Sequence, residues 1–150
     1  MKPVISALIA LAFTGAFVAT VHAQSADRQI KYRQSVMYAQ GYHFYGVLGD
    51  MAKGTRPYDK DVAVRSAKFI DTTIDMPWDG FTPGSETGAP TKAKSDIWKD
   101  KATFDKLGRE AKAETTKLVS AAAVDLAALR TQVQATGAAC KACHDKFRND

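Results

Sequence analysis

The stretch LAALRTQVQATGAACKACHDKF, residues 126–147, decides the fold. Its Leu126, Leu129, Val133, Thr136, Cys140, Cys143 and Phe147 alternate steps of three and four without a break. That spacing puts seven side chains on one stripe of an α-helix and reads as the a/d seam of a helical bundle. Asp125 stands where the N-cap belongs. Both cysteines of the chain therefore occupy core positions of a helix near its C-terminus.

Within the seam, Cys140-Lys141-Ala142-Cys143-His144 is a C-x-x-C-H run, the attachment signature of a c-type haem. On a helix the two thiols project from one face and can reach the two vinyl groups of one porphyrin. His144, four residues after Cys140, lies on the same side, where its imidazole can reach the iron. A dithiol redox pair or half a zinc site are the alternatives. Zinc needs four ligands, and beyond residue 23 the chain offers one more histidine and no more cysteine. A thioredoxin-like pair belongs after a strand of a βαβ unit, and no such unit is visible.

Working outward, the apolar spacing predicts three more helices and no convincing strand. The first runs from about Ser25 to about Lys53, with Ile30, Met37, Phe44, Leu48 and Met51 on one stripe and Arg33 and Gly41 between them. Gly54 and Pro57 end it. The second starts near Asp59 or Asp61, with Val62, Ser66, Phe69, Thr73 and Met76 as its stripe, and stops at Pro77. A long loop from Trp78 to about Ser95 follows, with Trp78 and Phe81 as apolar anchors against a haem edge or the end of the bundle. The third helix starts at the capping pair Ser95-Asp96 and buries Phe104, Leu107, Ala111, Leu118 and Ala122. The expected fold is all-α: an antiparallel four-helix bundle with short 1–2 and 3–4 connections and a long helix 2–helix 3 connection.

The N-terminus reads as a signal peptide, 1–23. Met1-Lys2 is a short positive region, Val4 to Thr20 is mostly apolar, and Val21-His22-Ala23 resembles a cleavage site. Residues 24–150 then form one four-helix-bundle haem domain. Thr14, Gly15 and Thr20 interrupt the apolar run, which favours cleavage over a membrane anchor, and no later stretch could span a bilayer. A signal and a c-type haem motif together point to the periplasm. Removing Lys2 takes the formal charge from +5 to +4, without a Lys/Arg cluster. Such mild basicity argues for an acidic partner rather than for nucleic acid.

With these features the chain resembles cytochrome c′, of the class II c-type cytochromes. The resemblance covers nearly all of residues 24–150. It is carried by the C-terminal C-x-x-C-H through Arg148, together with Lys31-Tyr32-Arg33-Gln34-Ser35, His43-Phe44, Pro57-Tyr58-Asp59, Met76-Pro77-Trp78 and Ile97-Trp98. It implies one haem c held by Cys140 and Cys143, five-coordinate iron on His144, and a crowded distal face. It also implies binding of nitric oxide and carbon monoxide, and one-electron exchange with a periplasmic redox partner. Arg33 matches the arginine near a haem propionate, Arg148 the one beside the proximal histidine, and Met37 the residue over the distal face. Low-spin relatives use a methionine of helix 1 as sixth ligand, so a six-coordinate electron carrier with Met37 on the iron is the alternative. The unbroken match from Lys31 through Phe44 favours the high-spin form, with Met37 as a space-filling thioether. His43, about 240° around the helix from Met37, should not face the same iron.

Enzymatic turnover is not expected. Peroxide chemistry needs acid–base groups above the iron, and the helix 1 stripe offers Met37, Gly41 and Phe44 there. Tyr38, Tyr42, Tyr45 and Gly49 form a second stripe on helix 1, with small Gly46 beside them. That is more apolar surface than one bundle uses, and it predicts a homodimer packed through helix 1.

Overall fold

The computed structural model describes residues 14–150, with side chains described from Ser25 onward. Most of the expected signal segment lies outside the described residues; only the backbone of residues 14–23 is described, at the start of the first helix. Helix α1 (Thr14–Gly41) continues through a π-helical segment (Tyr42–Gly49) into α2 (Asp50–Lys53), and the three form the first rod of the bundle. Helices α3 (Lys60–Thr73), α5 (Lys101–Ala122) and α6 (Leu126–Phe147) are the other three. A 3₁₀ turn (Met76–Gly80) and the short α4 (Asp96–Lys99) punctuate the long connection. Among the described residues there is no strand, only an isolated antiparallel bridge between Ala93 and Arg148.

The helix ends follow from local chemistry. Gly54 adopts φ +83°, the left-handed conformation that costs glycine least, and its N–H reaches the Met51 carbonyl at 3.1 Å. Asp59 accepts from the Val62 N–H at 3.0 Å, and Asp125 from the Ala128 N–H at 2.8 Å. At the third rod the cap is Asp100, which accepts from the Thr103 N–H at 3.3 Å. The expected capping pair Ser95-Asp96 opens only α4, and Ser95 makes no side-chain cap. The chain bends at Asp100 because φ −121°, ψ 55° there departs from helix.

Two expected faces shift. On α3 the buried residues are Ala63, Ser66, Ala67 and Ile70, one position beyond much of the predicted stripe; Val62 and Phe69 are half-buried and Met76 is exposed. The helix stops at Thr73, and Pro77 sits inside the 3₁₀ turn that follows. In the first rod the π segment adds backbone between ladder bonds and turns Val47, Leu48 and Gly49 inward together. Gly49 is buried whereas Tyr38, Tyr42 and Tyr45 are exposed, so Gly49 belongs to the interior and not to the tyrosine stripe.

Phe44, Leu48, Met51, Ala63, Ala67, Ile70, Leu118 and Leu129 make the main core, toward the end where α2 meets α3. Tyr58 closes that end by donating to the Ala122 carbonyl at 3.0 Å, and Arg130 by donating to the Ala52 carbonyl at 2.7 Å. At the other end a smaller cluster of Phe81, Ile97, Phe104 and Phe147 packs beneath the long connection. α5 packs along both α3 and α6, whereas α1 and α6 barely touch. The space between those two holds the site.

Candidate cofactor site

A cavity of about 460 Å³ opens between α1, α6 and the long connection. Cofactor pockets typically measure about 300–1,000 Å³ with mostly apolar walls. On one side α6 presents Cys140, Cys143 and His144, which the seam brings to one face. On the other, α1 presents Arg33, Met37, Gly41 and, past the π junction, Phe44. Trp78 and Phe81 reach the cavity from the connection, and Phe104 and Leu107 from α5. All seven site residues expected from the sequence line this one cavity. His43 does not; it lies against α3, with Nδ1 3.2 Å from the Ser66 hydroxyl and its ring 4.3 Å from that of Phe69.

The thiols are free and half-buried. Burial pushes Cys140 up and, with the neighbouring Cys140 sulfur, pushes Cys143 up to about 11. A redox-active or zinc-binding thiol needs the opposite shift. No three His, Cys, Asp or Glu side chains converge as metal ligands among the described residues. Burial holds the His144 imidazole below its ordinary value, the Arg148 cation adds to this, and Asp145 opposes it. A neutral imidazole keeps a lone pair for a metal at neutral pH.

Arg33 is 2% exposed. Nη1 donates to the Gly80 carbonyl at 2.7 Å and the Ser85 hydroxyl at 2.9 Å; Nη2 donates to the Ser85 carbonyl at 3.0 Å and the Thr91 hydroxyl at 3.3 Å. The guanidinium also covers the Phe81 ring, 4.4 Å from its centroid. Arg33 thus gathers three points of the connection onto α1. Desolvation lowers its pKa, and the Glu86 carboxylate opposes that from farther away. All four hydrogen-bond acceptors are neutral, so a cation at the cavity wall has no anion in contact. That suits a group carrying carboxylates, as haem does.

Trp78 stacks on Phe104 with centroids 5.1 Å apart. It can do so because α5 has glycine at 108, where a Cβ would come within 2.4 Å of the indole. Arg148 is exposed, and its backbone N–H closes α6 on the His144 carbonyl at 2.9 Å. Its side chain borders both the main cavity and a polar cleft of about 400 Å³ beside His144.

Gln40 is one of the wall residues that apolar periodicity passed over. It is buried, and its Nε2 donates to the Thr73 carbonyl at 2.7 Å and lies 3.4 Å from the Thr73 hydroxyl. The available signal was its position three residues after Met37 and seven after Arg33.

An apolar chamber inside a four-helix bundle, walled by a C-x-x-C-H helix, places the chain among c-type haem proteins of the helical-bundle class. The model of the family described as Cytochrome C′ matches residues 28–148, and the chain belongs to that family. It is 38% identical over 126 residues to cytochrome c′ of Rubrivivax gelatinosus, an alignment covering 83% of this chain and 97% of the relative. It is 32% identical over 103 residues to cytochrome c-556 of Agrobacterium tumefaciens, covering 69% and 83%. Among solved structures, cytochrome c′ from Rubrivivax gelatinosus superposes with TM-score 0.76 at 37% identity, covering 81% of this chain and 94% of that one. A nitric oxide complex of a variant cytochrome c prime from Alcaligenes xylosoxidans also superposes with TM-score 0.76, at 36% identity, covering 83% and 97%. The family carries covalently bound haem c, for which this chain has the two cysteines.

Proposed function

We propose that the chain is a periplasmic monohaem protein that exchanges single electrons and binds nitric oxide and carbon monoxide without turning over a substrate. Residues 1–23 act as the signal peptide, and residues 24–150 are the working domain. The observation that carries this reading is the cavity itself. It sets Cys140, Cys143 and His144 on one wall and Met37, Gly41 and Phe44 on another. Bound haem c supplies a one-electron centre and a coordination position for a diatomic gas. Cys140 and Cys143 hold it covalently, and the neutral His144 imidazole ligates its iron. The Arg33 cation balances a propionate, Arg148 sets the charge beside His144, and Trp78 packs against the ring. Met37 fills the distal space with a flexible thioether that does not bond iron and moves aside for a ligand. On the helix 1 wall Met37, Gly41 and Phe44 stand beside the Gln40 amide, which holds Thr73, and no carboxylate or histidine of that helix lines the cavity to act as acid or base. That argues against peroxidase chemistry. The nitric oxide complex of the Alcaligenes relative supports the gas-binding part.

The test is the optical spectrum of the ferric and ferrous protein, with a pyridine haemochrome assay for the covalent haem. A high-spin ferric spectrum is expected. Met37→Ala should leave it mainly high-spin and speed carbon monoxide association about tenfold, equivalent to about 1.4 kcal/mol of barrier. A sulfur-to-iron charge-transfer band, lost in Met37→Ala, would instead establish the six-coordinate electron carrier. A secreted chain without covalent haem sinks both readings.

A further inference from the structure

Gln40 is a buried polar side chain that the haem reading leaves without a task. It is 9% exposed, lies three residues beyond Met37 on α1 and lines the same cavity. Its amide is fixed from one side. Thr73 is the last residue of α3, so its carbonyl has no partner further along that helix. Gln40 Nε2 donates to that carbonyl at 2.7 Å and lies 3.4 Å from the Thr73 hydroxyl. The reverse orientation would set two carbonyl oxygens face to face. It would gain nothing from the Thr73 hydroxyl either, which is spent on the Phe69 carbonyl at 2.8 Å. Oε1 is therefore the free end of the amide and makes no side-chain hydrogen bond. Among the described residues no fully buried side-chain oxygen or nitrogen lacks a partner. Oε1 thus keeps open surface, and the open space that Gln40 borders is the cavity. The other buried polar side chains of α1 and α6 on this wall are donors already committed. Arg33 holds the long connection, and Thr136 donates to the Glu114 carbonyl at 3.3 Å.

We propose that Gln40 sets a ligand preference of the chamber: Oε1 accepts a hydrogen bond from a small neutral iron ligand that carries an N–H, ammonia being the simplest. The inference rests on the haem reading above and adds a ligand class to the two gases. α1 and the C-x-x-C-H helix stand on different walls of the cavity, so Gln40 belongs to the wall away from His144. An amide oxygen can only accept. It favours a ligand with a proton to share and offers nothing to carbon monoxide, whose free end carries only a lone pair. The apolar walls, Met37, Phe44, Phe81 and Leu107 among them, keep the local dielectric low, which strengthens such a bond. Binding is coordination plus one hydrogen bond, and no electron or proton is transferred.

The test uses the haem-loaded protein. Ammonia, counted as free base, is titrated into the ferric form at fixed ionic strength, and carbon monoxide into the ferrous form. Gln40→Met is close in size and has no polar end. It should weaken ammonia about tenfold, the worth of one hydrogen bond in a dry site, and leave carbon monoxide affinity within about twofold. The carbon monoxide stretching frequency reads the local field directly. An oxygen lone pair near the bound gas raises it, so the frequency should fall in Gln40→Met. Gln40→Glu keeps an acceptor oxygen at the same reach and should hold the stretch at or above the wild-type value and retain ammonia binding. A residue that only ties α1 to Thr73 would not separate the two variants in this way. Ammonia and carbon monoxide weakened alike in Gln40→Met, a stretch unchanged by it, or no recovery in Gln40→Glu overturns the proposal. Each of those results leaves the haem reading standing, whereas a chain without covalent haem in the haemochrome assay overturns both.

Discussion

Gly108 and Trp78 show how one missing methyl group shapes the site. The indole lies where the Gly108 Cβ would be, 2.4 Å from Cζ2 and 2.8 Å from Cε2, and Phe104 stacks behind it. Gly108→Ala gains about 1 kcal/mol of helix propensity. It must also move a packed ring, which typically costs about 1–3 kcal/mol. The variant is therefore expected to melt at lower temperature despite its better helix former, with altered tryptophan fluorescence as the ring shifts. A raised melting temperature with unchanged fluorescence would contradict this placement of Trp78. Gly108 was not singled out from the sequence, because a glycine in a helix gives no sign of which ring will lie on it. Met37 was legible at this scale: its position on the Ile30–Phe44 stripe put it on the cavity wall, where it is found.

Between elements, the polar tie from α3 to α5 is centred on Asp71. Lys112 Nζ approaches Oδ1 at 3.0 Å, and the Thr115 and Thr116 hydroxyls donate to Oδ1 at 2.9 and 3.0 Å. Burial alone would raise the carboxyl pKa; the hydrogen bonds from Lys112, Thr115 and Thr116, with the Lys112 charge, hold it below its ordinary value. A lowered folded-state pKa means stability that is present above the unfolded-state value, about 3.9, and lost as pH falls through the folded value. Asp71→Asn is thus expected to cost about 1 kcal/mol at pH 7. The gap between wild type and variant in urea midpoint should close below about pH 4. A gap constant from pH 7 to pH 3 would show that the carboxylate charge contributes nothing. Elements were legible where a local signal marks them: the Asp59 and Asp125 caps and the Gly54 stop all stand where expected. The start of α5 was misplaced because Ser95-Asp96 and Asp100 are both plausible caps, and only packing under the connection makes the chain bend at Asp100.

At the scale of the whole molecule, the cavity has a thermodynamic consequence. Without haem, the apolar side chains that wall it, Met37, Phe44, Phe81, Phe104 and Leu107 among them, lose the group they would pack on and face water instead. Cys140→Ala/Cys143→Ala, which cannot attach haem, is therefore expected to give a loosened helical state, with far-ultraviolet dichroism kept and near-ultraviolet dichroism lost. Native-like hydrogen-exchange protection in that variant would sink the idea. The surface makes a second statement. Tyr38, Tyr42 and Tyr45 are 81%, 62% and 60% exposed, so they do not pack on helix α3 within the monomer. We propose that they form the helix 1 face of a homodimer. Sedimentation should find a dimer for wild type and a monomer for Tyr38→Glu/Tyr42→Glu; a monomer in both cases rejects the interface.

The amino-acid order by itself determined the α6 seam, the C-x-x-C-H chemistry set into it, the count of four long helices and the caps at two of them. These are properties of residues within a turn or two of each other, and a helix expresses them wherever it packs. Tertiary structure alone decided the rest. The inward face of α3 moved by one position because a helix's own periodicity defines a stripe only to within a residue, and its neighbours choose the rotation. The π segment, Tyr42–Gly49, packs against α3, and no local apolar pattern marked it. Arg33 found Gly80, Ser85 and Thr91, and Lys94 found Phe147, across separations of 47 to 58 residues. No local pattern encodes such partners. A buried guanidinium must satisfy its donors with whatever acceptors the closed chain brings to it.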